Sequence, residues 1–139
     1  MVENYIEGII HDLSVSLAVS SFKVLKIESG EEDGYIRIKC KLANGDIFEF
    51  AEYAIIHKGK IHIETYSYHW QTADGVLRRR WDNVPHHKDV DTFPNHLHLP
   101  EKVVSSGPKS LKKILGYIEK ALRFNDKAGN PPRVIKKRV

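Results

Sequence analysis

The sequence predicts an α+β domain, a five-stranded antiparallel meander sheet flanked by an N-terminal and a C-terminal helix. Apolar residues recur at helical spacing over 4–14 and again over 108–123, whereas the stretch between them consists of short β-type runs separated by turn residues. At 139 residues the chain has the length of one domain and can bury a core without metal or disulfide. We therefore expect a single domain over 1–124 and a basic, flexible tail over 125–139.

Each predicted helix carries an apolar stripe suited to covering a sheet. In the first helix the stripe consists of Tyr5, Ile6, Ile9, Ile10 and Leu13. The second helix opens at Ser106-Gly107-Pro108, because proline is favoured in a first helical turn. Its buried stripe consists of Leu111, Ile114, Leu115, Ile118 and Leu122, and its exposed side carries Lys109, Lys112, Lys113 and Lys120.

Turn residues locate the strands. The turn signals are Glu31-Glu32-Asp33-Gly34, Asn44-Gly45, Lys58-Gly59 and Asp74-Gly75, which place strands near 21–29, 35–43, 46–56, 60–72 and 76–82. Asn44-Gly45 is the strongest hairpin signal, since both residues tolerate positive φ. In the second strand Ile36, Ile38, Cys40 and Leu42 alternate with Arg37, Lys39 and Lys41. This alternation is typical of a half-buried strand, so Cys40 is predicted to be a core residue rather than a nucleophile.

The segment after Asn83 shows little periodicity and contains three prolines, Pro85, Pro94 and Pro100. We interpret it as a long loop, or a loop with a short strand. Loops of this length in a small domain are usually functional.

Composition excludes several classes of protein. Cys40 is the only cysteine, which rules out an intramolecular disulfide and a cysteine-based zinc site. The N-terminal segment has acidic Glu3 and Glu7 where a signal peptide would be basic, and no apolar run approaches membrane-spanning length. We expect a cytoplasmic protein that does not bind membranes.

Charge is distributed unevenly along the chain. Residues 1–75 hold 7 Lys/Arg and 12 Asp/Glu, a net −5, whereas residues 76–139 hold 15 and 6, a net +9. Such segregation is typical of a basic face that attracts nucleic acid or an acidic protein. The alternative interpretation is charge that is merely solvated.

The richest region for chemistry runs from the fourth strand into the long loop, where five of the eight histidines fall within thirty positions. If the Thr72 to Gly75 turn sets the register, Gln71 faces Val76 and His69 lies opposite Arg78. One sheet face would then present Thr65, Ser67, His69, Arg78, Arg80 and Asp82, and the other Tyr66, Tyr68, Trp70, Leu77, Arg79 and Trp81.

These side chains suit the cleavage of RNA. An arginine pair binds phosphate oxygens through several planar hydrogen bonds, and a nearby histidine can donate or remove a proton. One imidazole would deprotonate the ribose 2′-hydroxyl, another would protonate the leaving oxygen, and arginine would stabilise the charge on the pentavalent phosphorus. This mechanism needs no metal or other cofactor.

Other interpretations of the same residues stay open. A polar sheet face is often only solvated, and His86-His87 also suits a surface turn. His96 and His98 flank Leu97, so on an extended segment they point the same way, and with His86 or His87 they would suit a divalent metal.

The region also resembles the TumE-type toxins, small proteins of prokaryotic toxin–antitoxin pairs. The resemblance covers roughly residues 20–122. It rests on Tyr66-Ser67-Tyr68-His69-Trp70, Arg79-Arg80-Trp81-Asp82-Asn83, Pro85-His86-His87 and Phe93-Pro94-Asn95-His96-Leu97-His98. Asn95 stands where the family pattern favours a histidine. The resemblance implies a growth-inhibiting toxin held inactive by a cognate antitoxin, and it matches the signature to His69, Arg80, Asp82, Asn83, His86, His87, His96 and His98.

From the residues and the resemblance together we predict an endoribonuclease toxin whose partners are RNA and an antitoxin. The alternative is a module that binds nucleic acid or antitoxin without catalysis. The predicted catalytic residues are His69, Arg78, Arg80, Asp82, His86 and His87. The predicted substrate-binding residues are Asn83, His96, His98, Lys112 and Lys113.

Overall fold

The elements follow the predicted order of helix, meander and helix. The computed structural model describes residues 1–125 and 137–138. The helices are α1 (Val2–Val15) and α2 (Leu111–Asn125). The strands are β1 (Val19–Ser29), β2 (Asp33–Leu42), β3 (Ile47–His57), β4 (Lys60–Gln71), β5 (Leu77–Asp82), β6 (His96–His98), β7 (Val103–Ser105) and β8 (Lys137–Arg138).

One sheet contains all the strands of the described residues. Strands β1 to β7 form an antiparallel meander in sequence order, and β8 pairs in parallel with the outer edge of β1. The predicted meander is confirmed, but the predicted number of five strands is wrong. Strands β6 and β7 have three residues each and lie in the expected loop region. Runs this short show no alternation, so only backbone pairing defines them, of β6 with β5 and of β7 with β6.

The predicted tail at 125–139 falls mostly outside the described residues. Asn125 ends α2, and Lys137–Arg138 form β8. Nothing further is described of this segment.

Both helices pack on the same face of the sheet. Helix α1 buries Val2, Ile6, Ile9 and Leu13, and α2 buries Leu111, Ile114, Leu115 and Ile118. The strands meet them with alternate residues, among them Ile36, Ile38, Cys40, Phe48, Phe50, Tyr68 and Trp81. Cys40 is a core residue, as predicted, and burial raises the pKa of its thiol to about 12. Neither of the two described helices packs against the other face of the sheet, which is called the open face below.

A carboxyl group lies in this core. Glu52 on β3 is 1% exposed and accepts hydrogen bonds from the hydroxyls of Tyr5 on α1 and Tyr68 on β4. Burial raises the pKa of Glu52 above its ordinary value of 4.5, and the two hydroxyl donors offset part of this rise. Folding therefore favours the protonated form of Glu52.

This burial predicts a specific pH dependence of stability. Because the pKa of Glu52 is higher in the folded than in the unfolded chain, its contribution is fully present below pH 4.5 and is lost as pH rises through the folded value. The variant Glu52→Gln has no ionisable group at this position and so lacks this pH-dependent contribution to stability. We expect the free energy of unfolding of the wild type, relative to Glu52→Gln, to fall as pH rises above 4.5. Urea denaturation of both proteins across this range tests it, and parallel pH curves would contradict it.

Candidate functional site

The open face of the sheet carries two rows of side chains in register. In one row Ser67, Asp82 and His96 are direct neighbours across β4, β5 and β6. In the next row His69, Arg80 and His98 are direct neighbours across the same three strands. Residues directly opposite each other on adjacent strands share a face. The predicted histidines and arginine on these strands therefore meet on one surface.

The register of the β4–β5 hairpin differs from the predicted one. The Thr72 amide donates to the Val76 carbonyl at 2.8 Å, so Gln71 lies opposite Leu77 and not Val76. A β-bulge beyond this pair shifts the register by one further residue, and Trp70 lies opposite Arg79. Beyond the bulge, β5 is therefore offset against β4 by two residues relative to the predicted register. An offset of two residues leaves the side chains beyond the bulge on their predicted face but changes their cross-strand partners.

The prediction that His69 pairs with Arg78 is therefore wrong. His69 lies opposite Arg80, and Arg78 is the extra residue of the bulge. The Arg78 guanidinium stands 5.8 Å from the centre of the Trp70 ring, on the helix-covered face, and its Nε donates to Asp46 at 2.5 Å. Trp70 Nε1 donates to the same carboxylate at 2.9 Å. Arg78 thus stabilises the bulge through its contacts with Asp46 and Trp70. Arg80 lies opposite His69, in the position predicted for Arg78.

A buried carboxylate organises the histidines of the site. Asp82 is 3% exposed, and its Oδ1 lies 2.8 Å from Nε2 of His96, which is 1% exposed. Its Oδ2 lies 3.4 Å from Nε2 of His98 and accepts a 3.0 Å hydrogen bond from Nε of Arg80. The Val84 amide also donates to Oδ1, at 3.1 Å. One carboxylate thereby holds two imidazoles and a guanidinium in fixed positions.

The loop after β5 adds a third imidazole. The ring of His87 lies 4.8 Å from the ring of His96 and 5.2 Å from that of His98, centre to centre. His86, the neighbouring residue, is exposed. The ligand nitrogens of His87, His96 and His98 all lie within 4.8 Å of one another, and this is the group of potential metal ligands among the described residues. The structure thus brings His87 into the cluster and leaves His86 outside it.

Asn83 anchors the start of this loop. Its Oδ1 accepts a hydrogen bond from the Tyr66 amide at 2.9 Å, and its Nδ2 donates to the Glu64 carbonyl at 3.0 Å. Both ends of the amide are therefore bonded to the β4 backbone. This pairing explains Asn83 as a residue that positions the chain beside Asp82; its predicted substrate contact stays a prediction.

Burial lowers the pKa of His98 below its ordinary 6.5. Asp82 acts in the opposite direction, while His96, His87 and Arg80 lower the value further. These surroundings favour the neutral form of His98, which has a lone pair on one ring nitrogen.

A shallow cleft of about 270 Å³ lies on the open face beside these rows. It is lined by Arg37, Lys39, Ile47, Glu49, Ser67, His69, Gln71 and Arg80. Arg80 Nη1 lies 3.4 Å from Nδ1 of His69, whose Nε2 lies 2.9 Å from the Gln71 side-chain oxygen. Arg80 thus joins the cleft to the Asp82 cluster.

Sequence reasoning missed the contribution of β2 and β3 to this cleft. Arg37 and Lys39 were placed on the polar side of β2, but nothing in the sequence tied that side to the histidines. The signal that connects them is the register, because Lys39, Glu49, His69, Arg80 and His98 follow one another across five strands.

The two predicted substrate-binding lysines of α2 are not near the cleft. Lys112 and Lys113 are exposed on α2, which covers the opposite face of the sheet. The amphipathic stripe of α2 forces this placement, because Leu111 and Ile114 must face the core. Any contact of these lysines with a polyanion would be separate from the histidine cluster.

Comparison with known proteins adds one finding. The family model described as Toxin TumE matches residues 6–122, which is most of the chain. No curated protein and no solved structure matches. Neither described helix is long and apolar enough to span a membrane. A toxin family supports a toxin role and suggests an antitoxin as partner. With His96 and His98 of its signature held by Asp82, the chain belongs to the TumE toxin family.

Proposed function

We propose that this toxin is an endoribonuclease whose reacting phosphodiester lies over Arg80 on the open face. The observation that supports this most is the row of His69, Arg80 and His98 across three adjacent strands. Neighbouring strands are about 4.8 Å apart, so the chain positions of His69 and His98 flank that of Arg80 at about this spacing. A phosphate held by Arg80 would therefore have a proton-transfer group on either side.

The charges around the cleft favour an anionic strand. Lys39 and Arg80 line it together with Arg37, whose Nη1 donates to Glu49 at 2.6 Å. Three cationic side chains thus face a single carboxylate in the lining. Hydrogen bonds from charged donors to phosphate are stronger than those from neutral donors. The cleft would bind the sugar-phosphate backbone and place the scissile group beside His69.

The reaction that fits these positions is an internal transfer at phosphorus. His69 would take the proton from the 2′-hydroxyl, and the 2′-oxygen would then form a bond to phosphorus. The bond from phosphorus to the 5′-oxygen breaks, and that oxygen takes a proton supplied from the Asp82 cluster. Arg80 would stabilise the added negative charge on the phosphoryl oxygens. The products are a 2′,3′-cyclic phosphate and a 5′-hydroxyl.

A substrate pair tests this reaction directly. The purified full chain is expected to cleave a single-stranded RNA and to leave cyclic phosphate ends, because the 2′-oxygen is the nucleophile. The same oligonucleotide with one 2′-deoxy residue at the cleaved position is expected to stay intact there. Gel electrophoresis and end-group analysis by mass spectrometry distinguish the products. Cleavage at the deoxy position, or 5′-phosphate ends, would show that water attacks instead.

A protein that binds RNA but never cleaves it would identify the non-catalytic module as the correct alternative. Two observations would identify that outcome. RNA binding would weaken as the salt concentration rises, because binding releases counterions from the RNA. No cleavage product would form at any protein concentration.

A further inference from the structure

We propose that His87, His96 and His98, together with Asp82, form a binding site for one divalent transition-metal ion of the zinc type. The four side chains come from β5, β6 and the loop between them. The argument rests on the positions of the ligand atoms within this cluster and does not depend on the proposed cleavage reaction.

The first step concerns the protons of His96. Nδ1 of His96 lies 2.8 Å from the Pro94 carbonyl oxygen. A carbonyl oxygen can only accept, so Nδ1 must carry the proton and donate it. In a neutral imidazole Nε2 is then a bare lone pair.

The second step concerns what surrounds this lone pair. Nε2 of His96 lies 2.8 Å from the carboxylate oxygen Oδ1 of Asp82 and 2.9 Å from Nε2 of His98. Three potential ligand atoms therefore meet in one small buried volume, and the ligand nitrogens of His87, His96 and His98 all lie within 4.8 Å of one another. A metal ion satisfies the nitrogens and the carboxylate at once.

The dimensions and chemistry of the group agree with zinc. Two ligands at about 2.0–2.1 Å from a tetrahedral zinc ion are about 3.3 Å apart, close to the 2.8–3.4 Å separations among His96, His98 and Asp82. The nitrogen of His87 lies within 4.8 Å of those of His96 and His98. Three imidazoles and a carboxylate are ligands that zinc and related divalent metals accept.

The surroundings of the ligands are also those of a metal centre. A ligating histidine usually donates its second ring N–H to a carbonyl or carboxylate, which fixes the ring and the tautomer. His96 makes this contact with the Pro94 carbonyl. Asp82 is held in turn by Arg80 through Oδ2, at 3.0 Å. An ion here would border the open face beside Arg80, which is the direct cross-strand neighbour of His98.

Metal titration of the full chain tests the site without any measurement of activity. The protein is freed of metal with EDTA, dialysed, and titrated with Zn²⁺ in a calorimeter and with Co²⁺ in a visible spectrometer. We expect one equivalent of either ion, with the intense visible absorption of tetrahedral Co²⁺ bound by nitrogen ligands. His98→Ala and His87→Ala should weaken binding by about tenfold or more, since even changes around a metal site have effects of about that size.

His86→Ala is the matched control, because it removes an adjacent but exposed histidine and should bind as tightly as the wild type. His98 and His87 are half-buried, so their variants are expected to fold, which circular dichroism verifies. The proposal is overturned if the wild type binds no stoichiometric metal, or if His98→Ala binds as tightly as the wild type. Metal binding without RNA cleavage would contradict only the proposed function.

Discussion

The variant His69→Ala is expected to cleave RNA about 10²–10⁴-fold more slowly than the wild type, because a group that transfers a proton in the transition state contributes about that factor. Growth arrest on expression should disappear with it. His69 is half-buried on the open face and outside the core, so its loss should not unfold the chain. The measurement is the single-turnover cleavage rate with protein in excess over RNA.

The matched control for this change is His62→Ala. His62 lies on the same strand but pairs with Ile55 near its other end, and it is exposed. This variant should cleave at the wild-type rate. If His69→Ala also cleaves at that rate, the 2′-hydroxyl is deprotonated by another group and the assignment of His69 is wrong. If His69→Ala cleaves slowly only because it no longer binds RNA, His69 contributes to affinity rather than to proton transfer.

The second large effect is expected at Arg80, where replacement by alanine should slow cleavage by about 10²–10³-fold. This is the usual result of removing one donor that stabilises developing charge in a transition state. Arg80→Lys keeps the positive charge but loses the planar set of donors, so it should retain part of the rate. The rate is measured at saturating RNA, which separates the chemical step from binding.

The neighbouring arginine provides a control of the same chemistry on the same strand. Arg79 faces α2, with its guanidinium 5.1 Å from the centre of the Tyr117 ring. Arg79→Ala should cleave at the wild-type rate and lose only some stability. If Arg79→Ala and Arg80→Ala reduce cleavage equally, the effect is a general loss of positive charge. The single assignment to Arg80 would then be wrong.

Three consecutive arginines thus have three different environments. Arg78 braces the bulge through Asp46, Arg79 packs on α2, and Arg80 reaches the open face. Strict alternation would place Arg78 with Arg80 on the open face. The bulge breaks this alternation and leaves one arginine between His69 and His98. A bulge next to a candidate site, which re-aims a side chain, is a recurrent device of β-sheets.

Local patterns in the sequence determined the fold class and the core. Helical spacing predicted α1 and α2 within three residues of their observed ends, because apolar periodicity reflects the need to bury one face of each helix. Asn44-Gly45 predicted the β2–β3 turn, where Gly45 has a φ of +92°. The alternation in β2 predicted that Cys40 is buried. Each of these features depends on residues close together in the chain.

Only the tertiary structure decided the composition of the site. The register of β4 against β5 depends on one turn hydrogen bond and one bulge, and neither changes the hydrophobic pattern from which register is read. Strands β6 and β7 are too short to show a period, so nothing local indicated that His96 and His98 would pair with Asp82 and Arg80. The choice of His87 over His86 depends likewise on how the loop returns to the sheet. The sequence by itself therefore specified which residue types the site contains. Contacts between distant segments decided which of these residues meet, because the chemistry of a side chain depends on one residue whereas strand pairing depends on distant parts of the chain.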